Sequence, residues 1–173
     1  MKKFAGKALF LNRSDISTDD IIPAKYLEET SKQALKSYIF EDLNIDGFNP
    51  KVDIPGKHVI ITRENFGCGT TESKAVQTLE ANEFYAVVAV NFAKSFRESM
   101  FSTGLLPVEI NKKEIEDMFR TFAEKDTDSV ITINDDNTAK VKLISGSLSK
   151  SYIFKLGNQE KDFIDQNKWI GAQ

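Results

Sequence analysis

The feature that most constrains the fold is an unbroken apolar run at residues 85–90, Tyr-Ala-Val-Val-Ala-Val. Its β-branched residues favour a strand, and the lack of polar alternation indicates a strand buried on both faces, as in parallel sheets. Apolar residues at helical spacing predict helices at 71–82 and 93–102, on either side of this run. Further strands are expected at 57–63 and 105–110. The middle of the chain therefore predicts a βαβαβ unit.

The remaining segments add strands to this unit. The turn sequence Asp135-Asp136-Asn137 between two apolar segments predicts a hairpin, which would make the sheet mixed. Outside the central unit the pattern predicts four strands, at 4–11, 129–133, 140–144 and 152–156. It also predicts a last helix at 158–169. The sequence therefore predicts an α/β fold in a single domain, 1–173.

Two other helices and two loops complete the prediction. Helical spacing indicates helices at 31–42 and 112–124. Residues 15–24 are expected to form a loop, because Pro23 disfavours a helix there. Residues 44–55 contain glycine and two prolines and are also expected to be a loop.

The composition excludes several classes of protein. The net charge is −3 and the basic residues are not clustered, so nucleic-acid binding is not expected. No apolar run has the length of a membrane span, and the first residues become polar too early for a signal peptide. A single cysteine fits a reducing, cytoplasmic location. One cysteine and one histidine cannot hold an iron–sulfur cluster or a zinc site of the usual kind.

Residues 65–74 form the most informative motif, Asn-Phe-Gly-Cys-Gly-Thr-Thr-Glu-Ser-Lys, between a strand and a helix. Gly67 and Gly69 permit positive φ and close backbone approach. Backbone N–H groups and hydroxyls at the helix start could bind an anion. The motif matches neither a dinucleotide-binding nor a Walker A pattern. The alternative is a plain strand–helix connection capped by Thr70. Cys68 lacks a nearby base and is expected to be a small packed residue rather than a nucleophile.

Other polar residues receive structural interpretations. The sequence Thr18-Asp19-Asp20 favours a turn or helix cap, although its acids could also position a hydroxyl or a water. His58 lies in an apolar strand and is expected to be structural. A solvated helix face is expected to carry Lys94, Arg97 and Glu98.

Three segments together resemble one family. Asn-Phe-Gly-Cys-Gly followed by two hydroxyl residues resembles the signature turn of the aconitase superfamily's swivel domain. Residues 17–27 resemble the family's N-terminal stretch, and residues 91–96 together with 104–107 resemble a third segment of the family pattern. The matches follow the family's order across residues 15–108. The stand-alone form of this domain is the small subunit of 3-isopropylmalate dehydratase and of homoaconitase, with a layered β/β/α fold.

The resemblance implies a hydro-lyase that dehydrates and rehydrates a hydroxy acid, as in leucine biosynthesis. It implies a large subunit that carries a [4Fe–4S] cluster, in a heterodimer or heterotetramer, while this chain binds no cofactor. The base would be Thr70, and Asp19 would handle the hydroxyl group. The resemblance also implies five substrate-binding residues: Thr71, Glu72, Gly69, Thr18 and Glu28.

Two departures from the family pattern concern the substrate. The family reads Gly-Ser-Ser-Arg-Glu-His where this chain reads Gly-Thr-Thr-Glu-Ser-Lys, so Glu72 replaces the arginine that grips a substrate carboxylate. The loop after Leu27, which is often basic, reads Glu28-Glu29. The alternatives are therefore a dehydratase for a less anionic hydroxy acid, a non-catalytic swivel-domain paralogue, and an unrelated α/β domain with an anion-binding turn.

Overall fold

A mixed sheet of seven strands organises the computed structural model, which describes residues 1–166 and 169–170. The strand order is β4-β3-β2-β1-β5-β6-β7. The four strands β1 to β4 are parallel, whereas β5, β6 and β7 run antiparallel to their neighbours. The strands are β1 Lys2–Phe10, β2 Lys57–Ile61, β3 Ala86–Ala89, β4 Leu106–Glu109, β5 Asp128–Ile133, β6 Thr138–Ser145 and β7 Leu148–Lys155.

Helices connect the parallel strands and cover the sheet. They are α1 Thr18–Ile21, α2 Lys32–Tyr38, α3 Pro50–Asp53, α4 Glu72–Ala81, α5 Lys94–Thr103, α6 Lys112–Phe122 and α7 Asn158–Gln166. A 3₁₀ turn lies at Ala24–Tyr26. The α/β class, the mixed sheet and the central unit β2-α4-β3-α5-β4 are confirmed. Among the described helices, none has the length and apolarity needed to cross a bilayer.

The parallel half of the sheet is buried on both faces, which explains the continuous apolar run in β3. On one face Val59 and Val88 pack in a cluster with residues of α6 and α7. On the other face Ile60 and Val87 pack in a cluster with residues of α4 and α5. The antiparallel half is buried on one face only, so its strands alternate; in β6, for example, Val141 is buried between two lysines.

Both loop predictions were wrong, because each segment contains a one-turn helix that begins at a side-chain cap. Helix α1 lies within 15–24, where Ser17 Oγ accepts from the Asp20 N–H at 3.1 Å and the Asp20 carboxylate accepts from the Ser17 N–H at 2.9 Å. Helix α3 lies within 44–55, where Asn49 Oδ1 accepts from the Lys51 N–H at 3.1 Å. Pro23 follows α1 rather than interrupting it.

The C-terminal elements also differ from the prediction. Strand β7 begins at Leu148 rather than at 152, because it pairs with β6 along its whole length from Ser145↔Leu148 to Thr138↔Lys155. Ser149, Lys150 and Ser151 are exposed, so the apolar alternation of this strand begins only at Tyr152. The predicted helix 158–169 is observed as α7, which ends at Gln166; positions 167–168 lie outside the described residues, and Trp169 is not helical.

Candidate functional site

The loops that follow β1, β2 and β3 join one another at the carboxyl edge of the sheet. They continue the order of the strands through backbone hydrogen bonds outside the sheet, with isolated bridges Ser17↔Cys68 and Phe66↔Phe92. The bonds are Gly67 N–H to Ile16 O at 2.8 Å, Thr18 N–H to Cys68 O at 2.7 Å and Phe66 N–H to Asn91 O at 3.2 Å. The three segments of the family resemblance therefore meet at one place.

Both glycines of the turn are required by close packing. Gly67 has φ +83° and a Cβ there would overlap the ring of Phe96, at well under 3.0 Å. Gly69 has φ +117° and a Cβ there would collide with Thr18 Oγ1. The turn is thus pressed between α5 on one side and the start of α1 on the other.

Asparagines that the sequence analysis missed frame this turn. Asn65 has φ +57°, and its N–H donates to Asn91 Oδ1 at 2.6 Å. Its side-chain amide donates to Asp15 Oδ1 at 2.9 Å. Asparagine tolerates left-handed backbone better than most residues, so Asn65 at the start of the glycine turn was a signal that the sequence offered for this conformation.

Two buried threonine hydroxyls lie at the contact between the turn and α1. Thr18 is 1% exposed, and its Oγ1 accepts from the Thr71 N–H over a long 3.4 Å. Thr71 Oγ1 is buried, without a hydrogen-bond partner in the described part of the protein. Thr71, not Thr70, is the residue that precedes α4, and no side chain caps this helix. The prediction of a Thr70 cap was therefore wrong, and the first amide N–H groups of α4 lack a side-chain acceptor.

The predicted base and its acidic partner flank this contact. Asp19 follows Thr18 directly, and Thr70 lies between Cys68 and Thr71, the two residues that hydrogen-bond Thr18. Both Asp19 and Thr70 are exposed. The two side chains belong to adjoining segments, and neither is turned into the core.

The two neighbouring aspartates have different environments. Asp20 closes the capping box with Ser17 and lies 3.6 Å from Arg13. Asp19, in the first turn of α1, is the more exposed of the two. The structure thus gives Asp20 a structural function and leaves the Asp19 carboxylate facing solvent at the site.

Acidic residues surround the site. Glu72 is the first residue of α4 and is partly buried, and Glu28 is exposed. The Lys74 ammonium donates to the Glu29 carbonyl oxygen at 2.7 Å, which holds the loop after the 3₁₀ turn against α4. Lys25 lies 3.4 Å from Glu41. These two cations are thus engaged with the Glu29 carbonyl and with Glu41 rather than with Glu72.

The remaining sequence interpretations have mixed outcomes. Burial, followed by the Asp15 charge, raises the pKa of the half-buried Cys68 thiol, which disfavours a nucleophilic thiolate. His58 is packed structurally, with Nδ1 2.9 Å from the Glu83 carbonyl oxygen. The solvated face predicted for Arg97 was wrong: its guanidinium lies 2.6 Å from Glu160 and 3.0 Å from Glu109. Among the described residues, no cluster of three or more histidine, cysteine or carboxylate side chains could hold a metal.

Residues 1–113 match the family described as Aconitase C-terminal domain. This chain belongs to that family. The curated relatives include 3-isopropylmalate dehydratase small subunits. One from Geobacillus sp. (strain WCH70) is 31% identical over 146 residues, covering 78% of this chain and 74% of the relative. Another, from Leptospira interrogans, is 30% identical over 174 residues, covering 93% of this chain and 82% of the relative.

A solved structure extends the similarity beyond the matched residues. The crystal structure of 3-isopropylmalate dehydratase from Methanocaldococcus jannaschii aligns with a TM-score of 0.68 and 26% identity, covering 94% of this chain and 88% of that one. The antiparallel strands β5 to β7, which follow residue 113, are therefore included in the shared fold.

Proposed function

We propose that this chain is the small subunit of a 3-isopropylmalate dehydratase-like hydro-lyase, which interconverts 2- and 3-isopropylmalate in leucine biosynthesis when joined to a large subunit. The observation that carries the proposal is the contact of α1 with the glycine turn through Thr18, Cys68 and Thr71. The exposed residues Thr70 and Asp19 lie next to the residues of this contact, at one edge of the sheet. The whole chain, 1–173, would act as one domain in the cytoplasm.

Each polar group at the edge has a task in the proposed reaction. In the dehydration direction Thr70 Oγ1, as the alkoxide, would take the carbon-bound proton, and Asp19 would pass a proton to the substrate's hydroxyl group, which leaves as water; hydration reverses both transfers. The uncapped amide N–H groups at the start of α4 would stabilise a substrate carboxylate and the negative charge that develops on it. The absence of a side chain at Gly69 would let the turn stay in contact with Thr18 while the substrate binds.

The proposed cluster would be held by the large subunit, because Cys68 is the only cysteine of this chain. A [4Fe–4S] cluster supplies Lewis-acid polarisation of the leaving hydroxyl. The residues of this chain fit a complementary task, since Thr70 and Asp19 face solvent rather than the core. They would close over a substrate that the other subunit presents.

Glu72 favours a second candidate, a dehydratase of the same class that acts on a less anionic hydroxy acid. A negative side chain in the first turn of α4 competes with a substrate carboxylate for the positive end of the helix dipole. An arginine there would form a charged hydrogen bond worth about 1.5–3 kcal/mol. Substrates with one carboxylate replaced by a neutral group would avoid the repulsion. A non-catalytic paralogue would assemble but lack turnover.

The test combines this chain with a purified, cluster-loaded large subunit and follows alkene absorbance with isopropylmalate, citraconate and maleate. We expect turnover that Thr70→Ala abolishes and Thr70→Ser retains. We expect Glu72→Arg to raise kcat/KM for isopropylmalate by roughly 10-fold or more, as a gain of at least 1.4 kcal/mol implies. Glu124→Arg, an equal charge change at another exposed site, should leave it unchanged.

The outcomes distinguish the candidates. Stable complex formation without turnover of these three dicarboxylates would overturn the isopropylmalate assignment, and a monocarboxylate hydroxy acid assayed with the same complex then separates a less anionic substrate from a non-catalytic paralogue. Turnover that persists in Thr70→Ala would remove this residue as the base. An unchanged rate in Glu72→Arg would contradict the charge argument while leaving the hydro-lyase assignment intact.

A further inference from the structure

A second cleft, of about 690 Å³, opens at the amino end of β2. It lies between α2 and α3, and the turn before β2 and the end of α4 complete its walls. Its volume falls within the range of small-molecule pockets. The five-residue strand β2 places its two ends roughly 15 Å apart. The cleft is therefore separate from the glycine turn, which follows the carboxyl end of the same strand.

The walls of the cleft are mainly apolar, and positive side chains stand beside them. Tyr38 and Ile39 end α2 on one side, and Ile54 and Pro55 follow α3 on the other. Lysines project from both helices, Lys36 from α2 and Lys51 from α3. Such a combination suits a ligand with an apolar body and a negative group.

The lysines nearby differ in their engagement. Lys25 pairs with Glu41, and Lys32 lies 3.7 Å from Glu80. Lys57, at the base of the cleft, donates to the Asp53 carbonyl oxygen at 3.0 Å. Within the part of the chain that the structure describes, Lys36 and Lys51 form no ion pair.

The imidazole of His58 forms another part of the wall and is held firmly. Its Nδ1 lies 2.9 Å from the Glu83 carbonyl oxygen, and since a carbonyl only accepts, Nδ1 carries the proton. The ring stacks on Tyr85 with centroids 5.0 Å apart. As the one histidine in the sequence, His58 also provides a unique spectroscopic reporter of the cleft.

The cleft is connected to the loop beside the candidate site through Tyr26. The ring of Tyr38 stacks on Tyr26 with centroids 3.9 Å apart and planes at 5°. Glu41, another residue of the cleft wall, accepts from the Tyr26 hydroxyl at 2.8 Å. Tyr26 ends the 3₁₀ turn, and Glu28 and Glu29 come after its cap residue Leu27. A ligand that contacts Tyr38 and Glu41 would therefore contact the two residues whose side chains hold Tyr26, and with it the 3₁₀ turn, in place.

We propose that the cleft is a second ligand site for a small carboxylate with an apolar body, and that its occupant positions the segment 24–31. The carboxylate lies near Lys36 and Lys51, and the apolar body lies against Tyr38 and Ile54. Binding moves Tyr38 and Glu41, and the change passes through Tyr26 to the loop that Lys74 holds against α4.

Benzoate is a suitable probe, since it combines a carboxylate with a flat apolar ring. The full chain is titrated with sodium benzoate while the His58 ring protons and the backbone amides are followed by NMR. We expect a saturable shift of the His58 signals accompanied by shifts of the amides at 24–31. The neutral analogue benzamide should bind at least 10-fold more weakly. This readout is binding to the chain itself, so it does not depend on turnover.

Matched variants test the placement. Lys36→Glu with Lys51→Glu should weaken benzoate binding at least 10-fold. Lys113→Glu with Lys140→Glu makes the same change in net charge at exposed positions far from the cleft, and should leave binding unchanged. A shift that does not saturate, equal binding of benzamide, or equal weakening by both pairs would overturn the site. Saturable His58 shifts with unmoved amides at 24–31 would overturn the connection to the loop.

Discussion

Substituting Gly67 by alanine tests whether the glycine turn is held by packing against α5 as well as by its backbone conformation. Left-handed backbone at φ +83° disfavours alanine by about 1–2 kcal/mol. The new methyl group must also displace the ring of Phe96, which is 1% exposed and packs edge-to-face on Phe66 at 5.5 Å. Overpacking of this kind costs about 1–3 kcal/mol. The free energy of unfolding should therefore fall by about 2–5 kcal/mol.

Gly47→Ala is the matched control, because Gly47 has φ +77° but nothing lies within 4 Å of its Cβ position. Urea unfolding followed by circular dichroism should show a loss of about 1–2 kcal/mol there, from the backbone alone. Adding Phe96→Leu to Gly67→Ala gives the methyl group room, so the double variant should lose less than the sum of its two changes. Equal losses for Gly67→Ala and Gly47→Ala would refute the packing argument.

Three further predictions concern other contacts. Ser17→Ala should lower the free energy of unfolding by about 0.5–2 kcal/mol, since it removes the cap of α1; no change in urea midpoint would contradict this. The hydrogen bond from the Tyr152 hydroxyl lowers the pKa of Asp117, so the stability that this carboxylate contributes is present above pH 3.8, its ordinary value, and is lost as pH falls below it. The stability difference between the unaltered protein and Asp117→Asn should accordingly narrow below pH 3.8, and a constant difference would exclude this linkage. Gly69→Ala should abolish turnover in the assembled enzyme because it pushes on Thr18, and full activity would show that this approach is dispensable.

The central fold could be predicted because burial on both faces leaves a clear trace in the sequence. Strand β3 has no polar residue, and the amphipathic α4 and α5 on either side have regular apolar spacing. Helices α1 and α3 were missed because a single turn has no period to detect. Their caps, Ser17 with Asp20 and Asn49 before a proline, were the available signals.

The site was only partly accessible from sequence. The glycine turn and its partner segments followed from the family resemblance, and the structure brings them together. The choice between Thr70 and Thr71 as the residue preceding α4 depends on the contact with Thr18, which comes from a segment about 50 residues earlier in the sequence. The ion pairs of Arg97 with Glu109 and Glu160 likewise join segments distant in sequence, so no local sequence pattern predicts them.

The backbone hydrogen bonds that join the loops after β1, β2 and β3 fix the shape of this edge independently of which side chains it presents. Gly67, Thr18 and Phe66 are held through main-chain atoms, which every residue except proline supplies alike. Side-chain exchanges at this edge, such as threonine for serine at position 70 or glutamate for arginine at position 72, leave these main-chain hydrogen bonds available. The chemistry of this edge can therefore change during divergence, even in the sign of a charge, without a change in the fold that presents it.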